Sequence, residues 1–263
     1  MASIALKAWY LEQYEPIAIL EQRPPSLRLN RNSLSRSALR ADFLDDNQAV
    51  RQSEWFSRYL AGEAVEFYIE GSGGYAVANI NLISQEIYFT KLEVLAQLEP
   101  VIYYCPQVEY PNGQEALSAT LTQTITQLNQ KSRLPFSLVT SPRLKKETTR
   151  LSGQQLRQIK KSLLFIADGT AIAQVSPGDP HQLLPGTPQL LPSPQVCLEM
   201  GFALQSKRSE QLLLIKMERS DLQGDYPFDL PSHQQLTYKT TPELEQSLPV
   251  VLEALLQKYN LFA

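Results

Sequence analysis

The chain of 263 residues has only two cysteines and two histidines. Cys105 and Cys197 are too few for a disulfide framework, and neither has the spaced cysteine or histidine company of a zinc site. That usage fits a reducing, cytoplasmic setting. His181 and His233 also lack ligand-spaced partners, so no metal or other cofactor is expected. A net charge of −3 excludes bulk attraction to nucleic acid. No apolar run approaches membrane-spanning length, and the opening stretch MASIALKAWYLEQYEP is too interrupted for a secretion signal. Neither nucleic acid nor a membrane is therefore an expected partner. Internal repeats are lacking too.

What is present is enough apolar material, 43% of residues, for one large domain or a domain with a smaller companion. The texture changes near residue 98. Residues 1–97 read as a small α+β module of unknown role, open to a protein partner. Val65 to Glu70 and Gln85 to Thr90 read as its strands, and Val50 to Leu60 as one helix bearing Trp55, Phe56 and Tyr59. Gly71, Gly73 and Gly74 in EGSGGY lie between two strand patterns and read as a hairpin turn rather than a phosphate loop. Arg23, Arg28, Arg31, Arg36 and Arg40 fall in an acid-free segment. They suit a solvated edge or arm, or a grip on phosphate or an acidic partner.

From residue 98 to 263, short apolar runs alternate with helical patterns, the signature of a parallel sheet covered by helices. The expected strands are Val101–Cys105, Phe136–Thr140, Leu163–Ala167, Leu212–Lys216 and Gln235–Lys239. Helices are expected over Glu115–Asn129, Gln154–Lys161, Ser193–Leu204 and from a Thr241 cap to the end. The simplest assembly is flavodoxin-like, with strand order 2-1-3-4-5 and a ligand crevice outside the carboxyl ends of the strands where the winding reverses. Cys105, Pro106 and Gln107 after strand 1, Asp168, Gly169 and Thr170 after strand 3, and the Ser193–Leu204 helix are expected to converge there.

That helix, SPQVCLEMGFAL, carries the sharpest chemical signal. Ser193 suits an N-cap and Pro194 the first turn, and Glu199 is the one ionisable acid amid apolar neighbours. Burying a carboxylate without a partner costs several kcal/mol, so Glu199 either turns to solvent or has a partner or a task. The stretch from Gln174 to Gln195 holds six prolines, which reads as a lid or a surface segment. The segment Arg143 to Lys161 sets seven Lys or Arg against Glu147, and reads as the exposed face of the second helix.

LLFIAD, followed by PSPQVCLEMGFAL and later PFDLPSHQQLTYK, resembles the TIR-like and nucleoside 2-deoxyribosyltransferase-like superfamily over residues 98–263. The resemblance implies a flavodoxin-like fold that binds, or acts on, nucleosides, nucleotides or NAD. Glu199 would then be the catalytic carboxylate at the anomeric carbon and Asp168 a contact to sugar or base. Cys105, Gln107, Gly169, Thr170 and Gln195 would line the ligand. Gln195, Met200 and Phe202 depart from the family's usual Asn, Leu and Tyr, and the turn PQVEYPNGQE has no Gly-rich phosphate loop. Amides opening the helix near Glu115 are then the phosphate candidates.

Two functional classes follow. One is an N-glycosidase or deoxyribosyltransferase-like hydrolase that breaks or transfers an N-glycosidic bond through Glu199, whose carboxylate would stabilise the developing oxocarbenium charge. The other is a nucleotide-sensing or protein-docking module without turnover. An enzyme requires Glu199 in an accessible pocket within reach of Asp168; a docking module allows it to be ion-paired and sealed. Oligomeric state, including a homo-oligomer, is left open.

Overall fold

The computed structural model describes residues 5–34, 38–92, 95–143, 150–175, 188–227 and 229–262. The chain forms two compact units, Met1–Glu99 and Pro100–Ala263. Among the described residues no helix is long and apolar enough to cross a membrane.

In the first unit, strands β1 (Ala5–Tyr10), β2 (Leu27–Leu34), β3 (Ala38–Phe43), β4 (Glu66–Ile69), β5 (Gly73–Asn81) and β6 (Glu86–Lys91) are joined through short helices α1 (Ile17–Leu20), α2 (Asn47–Gln52) and α3 (Glu54–Leu60). The strands close antiparallel into a barrel of order β1-β2-β3-β6-β5-β4. Closure leaves no unpaired edge, and a barrel this small is filled by its own side chains. Leu29, Phe67, Ile87 and Phe89 join Val50, Trp55 and Phe56 from the helices in one core. The expected helix over 50–60 is interrupted at Ser53, whose backbone is extended (ψ 145°) and whose Oγ caps α3 by accepting from the Phe56 amide at 3.3 Å. The EGSGGY segment is the β4–β5 hairpin turn, with Gly71 and Gly73 at φ +66° and +106°, where a side chain would be strained.

The second unit is an α/β layer. Strands β7 (Glu99–Cys105), β8 (Ser137–Thr140), β9 (Ser162–Asp168), β12 (Leu212–Met217) and β13 (Gln235–Tyr238) form a five-stranded parallel sheet, while β10 (Ala173–Val175) and β11 (Gln189–Leu191) pair separately. The sheet order is β8-β7-β9-β12-β13. The chain runs from β7 outward to β8, returns across β7 to β9, and then proceeds outward through β12 to β13.

Helices α4 (Pro111–Lys131) and α7 (Thr241–Gln257) pack together, as do α5 (Gly153–Lys161) and α6 (Pro194–Ser206). Strand alternation sorts the side chains between these two pairs. Tyr103, Cys105, Phe165, Ala167, Leu212 and Leu214 form one core with Ile159 of α5 and with Val196, Met200 and Ala203 of α6. Their strand neighbours Tyr104, Asp168, Met217 and Tyr238 face the other way, and the Met217 sulfur reaches the α4 backbone at Gly113.

Two helix starts differ from expectation. α4 opens at Pro111, four residues before Glu115, because Pro111 suits the first turn. The amides near Glu115 are therefore interior to the helix and do not form an anion-binding end. α7 is capped by Thr240, not Thr241, through a 3.4 Å bond from the Glu243 amide.

Candidate functional site

Glu199 lies on the inward face of α6 and is fully buried. Ser193 occupies the N-cap and Pro194 the first turn, as the sequence indicates, but the Ser193 hydroxyl donates to Glu109 Oε1 (2.9 Å) instead of accepting from the helix. Ser141, directly after β8, donates its hydroxyl to Glu199 Oε1 at 2.7 Å. Arg143 Nη1 donates to the same oxygen at 2.7 Å, and only 10% of the Arg143 side chain is exposed. The guanidinium also donates to the Pro106 carbonyl (2.6 Å) and to Cys105 Sγ (3.2 Å). One cation thus joins the ends of β7 and β8 to α6. Glu199 Oε2 and the Tyr103 hydroxyl beside it are buried without a hydrogen-bond partner. Burial holds the Tyr103 phenol and the Cys105 thiol well above their ordinary pKa values, with Glu199 adding to both.

Asp168 does not join this cluster. Its side chain leaves β9 on the α4/α7 face, beside Tyr104 and Tyr238. The sheet therefore separates the two acids that were expected to share a crevice, because residues an odd number apart on a strand point to opposite faces. Asp168 Oδ1 accepts from the Thr170 amide at 3.0 Å, while Oδ2 and the hydroxyls of Tyr104 and Tyr238 are buried and unpartnered. Burial pushes the Asp168 carboxyl up to about 6, against the lowering effect of its hydrogen bonds to Thr170 and Gln107.

Most of the remaining expected ligand residues are engaged in contacts within the fold. Gln107 is buried and staples its own turn, donating to the Tyr110 carbonyl and accepting from the Tyr110 amide, both at 2.7 Å. Cys105 is buried beneath the Arg143 guanidinium. Thr170 is buried too, and its Oγ1 accepts from the Met217 amide at 3.1 Å, tying the β9 end to β12. Gln195 donates to the Pro142 carbonyl at 3.3 Å. Gly169 alone of this set lines an open cavity.

That cavity, about 480 Å³, opens at the carboxyl ends of β9, β12 and β13. Gly169 accepts the Tyr226 hydroxyl on its carbonyl at 2.6 Å, and a Cβ there would collide with Tyr226 and Leu214. Lys216 and Thr237 rise from the strands, and Arg219 and Tyr226 come from the β12–β13 connection. Sequence reasoning missed both Arg143, absorbed into a basic run, and Lys216, absorbed into a strand. For Arg143 the available signal was its position: a cation just past the end of strand 2, beside strand 1. For Lys216 the available signal was that it is the one charge, at the end of the apolar strand LLLIK.

Other expectations resolve locally. Arg23, Arg28 and Arg40 pair with Glu15 (3.3 Å), Asp45 (2.9 Å) and Glu86. Arg36, His181 and residues 144–149 and 176–187 lie outside the described residues. Cys197 is half-buried and free. No family model, curated protein or solved structure matches this chain.

Proposed function

We propose that the second unit is a flavodoxin-like, nucleotide-binding module that does not use Glu199 for turnover. The single observation that carries this reading is the Arg143–Glu199 pair. A carboxylate that stabilises an anomeric carbon must face substrate. This one has its Oε1 saturated by Arg143 and Ser141 and has no exposed surface. Asp168, the other acid the hydrolase reading needs, projects from the opposite face of the sheet.

The fold part of the proposal is supported by the return of the chain from β8 across β7 to β9, since open α/β sheets take ligands outside the strand ends near such a reversal. Ligand capacity is supported by a cavity within the 300–1,000 Å³ range common for small-molecule sites. The TIR-like resemblance supplies the nucleotide class.

The test is incubation of the full chain and its Glu199→Gln variant with nucleosides, deoxynucleotides and NAD, with base release followed by chromatography and binding by calorimetry. The expected result is nucleotide binding with no base released by either protein. Release by the parent chain that Glu199→Gln abolishes would restore the N-glycosidase reading.

A further inference from the structure

Lys216 is the unusual charge of the second unit. Its strand neighbours on the same face, Leu212 and Leu214, belong to the apolar core. Its ammonium lies 4.6 Å from the centre of the Tyr226 ring and donates to Gln235 Oε1 at 3.1 Å. Among the described residues no carboxylate pairs with it. Burial lowers its pKa, and the nearby Glu218 only partly opposes this. Glu218 itself is engaged at 3.3 Å by Lys239.

The second cation at the cavity is Arg219. It stacks 4.4 Å above the Tyr110 ring, donates to the Ala171 carbonyl at 3.0 Å and pairs with the exposed Asp221 at 2.5 Å. Lys216 and Arg219 thus border the cavity together with the carboxylates of Glu218 and Asp225; Glu218 is engaged by Lys239 and Arg219 by Asp221, and among the described residues Lys216 has no ion pair. A half-buried ammonium on an apolar strand face costs free energy that an anion in the cavity would offset.

We infer that the cavity over β9, β12 and β13 is a binding site for a phosphate-bearing ligand of mononucleotide size, with Lys216 as the residue that holds the phosphate and Arg219 at its rim. Gly169 keeps the floor open: its missing Cβ lets the Tyr226 hydroxyl sit on the β9 backbone, which positions the ring against which Lys216 packs. The ligand then enters beyond the sheet end, away from the sealed Glu199. This assignment rests on the nucleotide-binding reading above and adds where, and by which group, the nucleotide is held.

The experiment is calorimetric titration of the full chain with AMP, adenosine and inorganic phosphate, repeated on Lys216→Met and Lys216→Gln. The parent chain is expected to bind AMP more tightly than adenosine. Each variant should lose on the order of 10-fold or more in AMP affinity, as for loss of one charge-assisted contact, with adenosine affinity unchanged. Both variants should have a thermal midpoint no lower than the parent's, since each removes a half-buried charge, and the more polar Gln variant serves if Met disturbs packing. AMP bound equally by parent and folded variants overturns the Lys216 assignment and leaves the nucleotide-binding reading intact. A parent chain that binds neither AMP nor adenosine overturns both. Equal affinity for AMP and adenosine overturns the phosphate assignment alone.

Discussion

The two units treat charge in opposite ways. In the barrel, the charged side chains stay at the surface: Arg58 with Glu54 and Glu12, Arg28 with Asp45, Lys7 with Glu70. Its interior is aromatic and aliphatic, with Trp55 edge-on to Phe67 at 5.2 Å and Phe67 edge-on to Phe89 at 5.9 Å. Among the described residues, every buried polar or charged side chain, Glu199 and Asp168 included, belongs to the α/β unit. Close-packed apolar interiors stabilise without specifying chemistry. Enclosed ions and orphaned hydroxyls cost stability, and they concentrate where a protein binds or reacts. The difference places the enclosed charges, and with them the candidate site, in the α/β unit.

The largest effect that would break this comparison is expected at Arg143. Arg143→Ala leaves the Glu199 carboxylate enclosed without its cation, and urea unfolding should report a loss of about 3–5 kcal/mol. The double variant Arg143→Met with Glu199→Gln should recover most of it, because it removes both charges together. A single-variant loss below about 1 kcal/mol would mean that the pair is hydrated and the site not sealed.

Phe67→Ala tests the barrel side. Deleting a ring packed against Trp55 and Phe89 should cost about 3–4 kcal/mol, independent of pH through the acid and neutral range, since no carboxylate, histidine or amine shares that core.

Next in size is Asp168. Its folded pKa of about 6 lies above the ordinary carboxylate value, so the folded state binds more protons than the unfolded state between roughly pH 4 and 6. Stability should therefore be greatest below about pH 4 as far as this group is concerned, fall as pH rises to 6, and level off beyond. The full span is about 3 kcal/mol. Asp168→Asn should flatten that segment of the pH–stability curve; an unchanged curve would show that the carboxyl is not held in its protonated form. At the small end, Arg58→Ala removes an exposed pair on α3, and the unfolding midpoint should stay within error of the parent.

Much of the α/β unit could be read from its residues. β9 and β12 are continuous apolar runs because both faces of a parallel strand are covered, and such runs stand out in any sequence. α6 was legible from Ser193, Pro194 and its apolar stripe; that Glu199 turns inward rather than to solvent was settled by packing. The barrel was less legible. Its strands alternate as any half-buried strands do, and closure depends on pairing β1 with β4 across more than fifty residues. The break at Ser53 was also hidden, since a serine inside a helical pattern serves equally well as a helix residue or as the cap of a second helix.

The site was legible by composition but not by arrangement. Asp168 and Glu199 were identifiable as unusual acids, and the expected convergence of strand ends and helix where the winding reverses suggested one crevice. The parity of Asp168 on β9 sends it to the α4/α7 face, while α6 packs on the other. Arg143 looked like one basic residue among seven, and its role appears only when the end of β8 meets the end of β7.

The amino-acid order by itself determined the local elements, the alternation that splits each strand into two faces, and the placement of one acid among the apolar residues of α6. These follow from short-range periodicity and from the cost of leaving apolar surface in water. Which cation meets that acid, which face each strand residue serves and where a cavity remains were decided only in three dimensions. Those outcomes depend on contacts between segments distant in the chain, and Glu199 is joined to Arg143 across 56 residues.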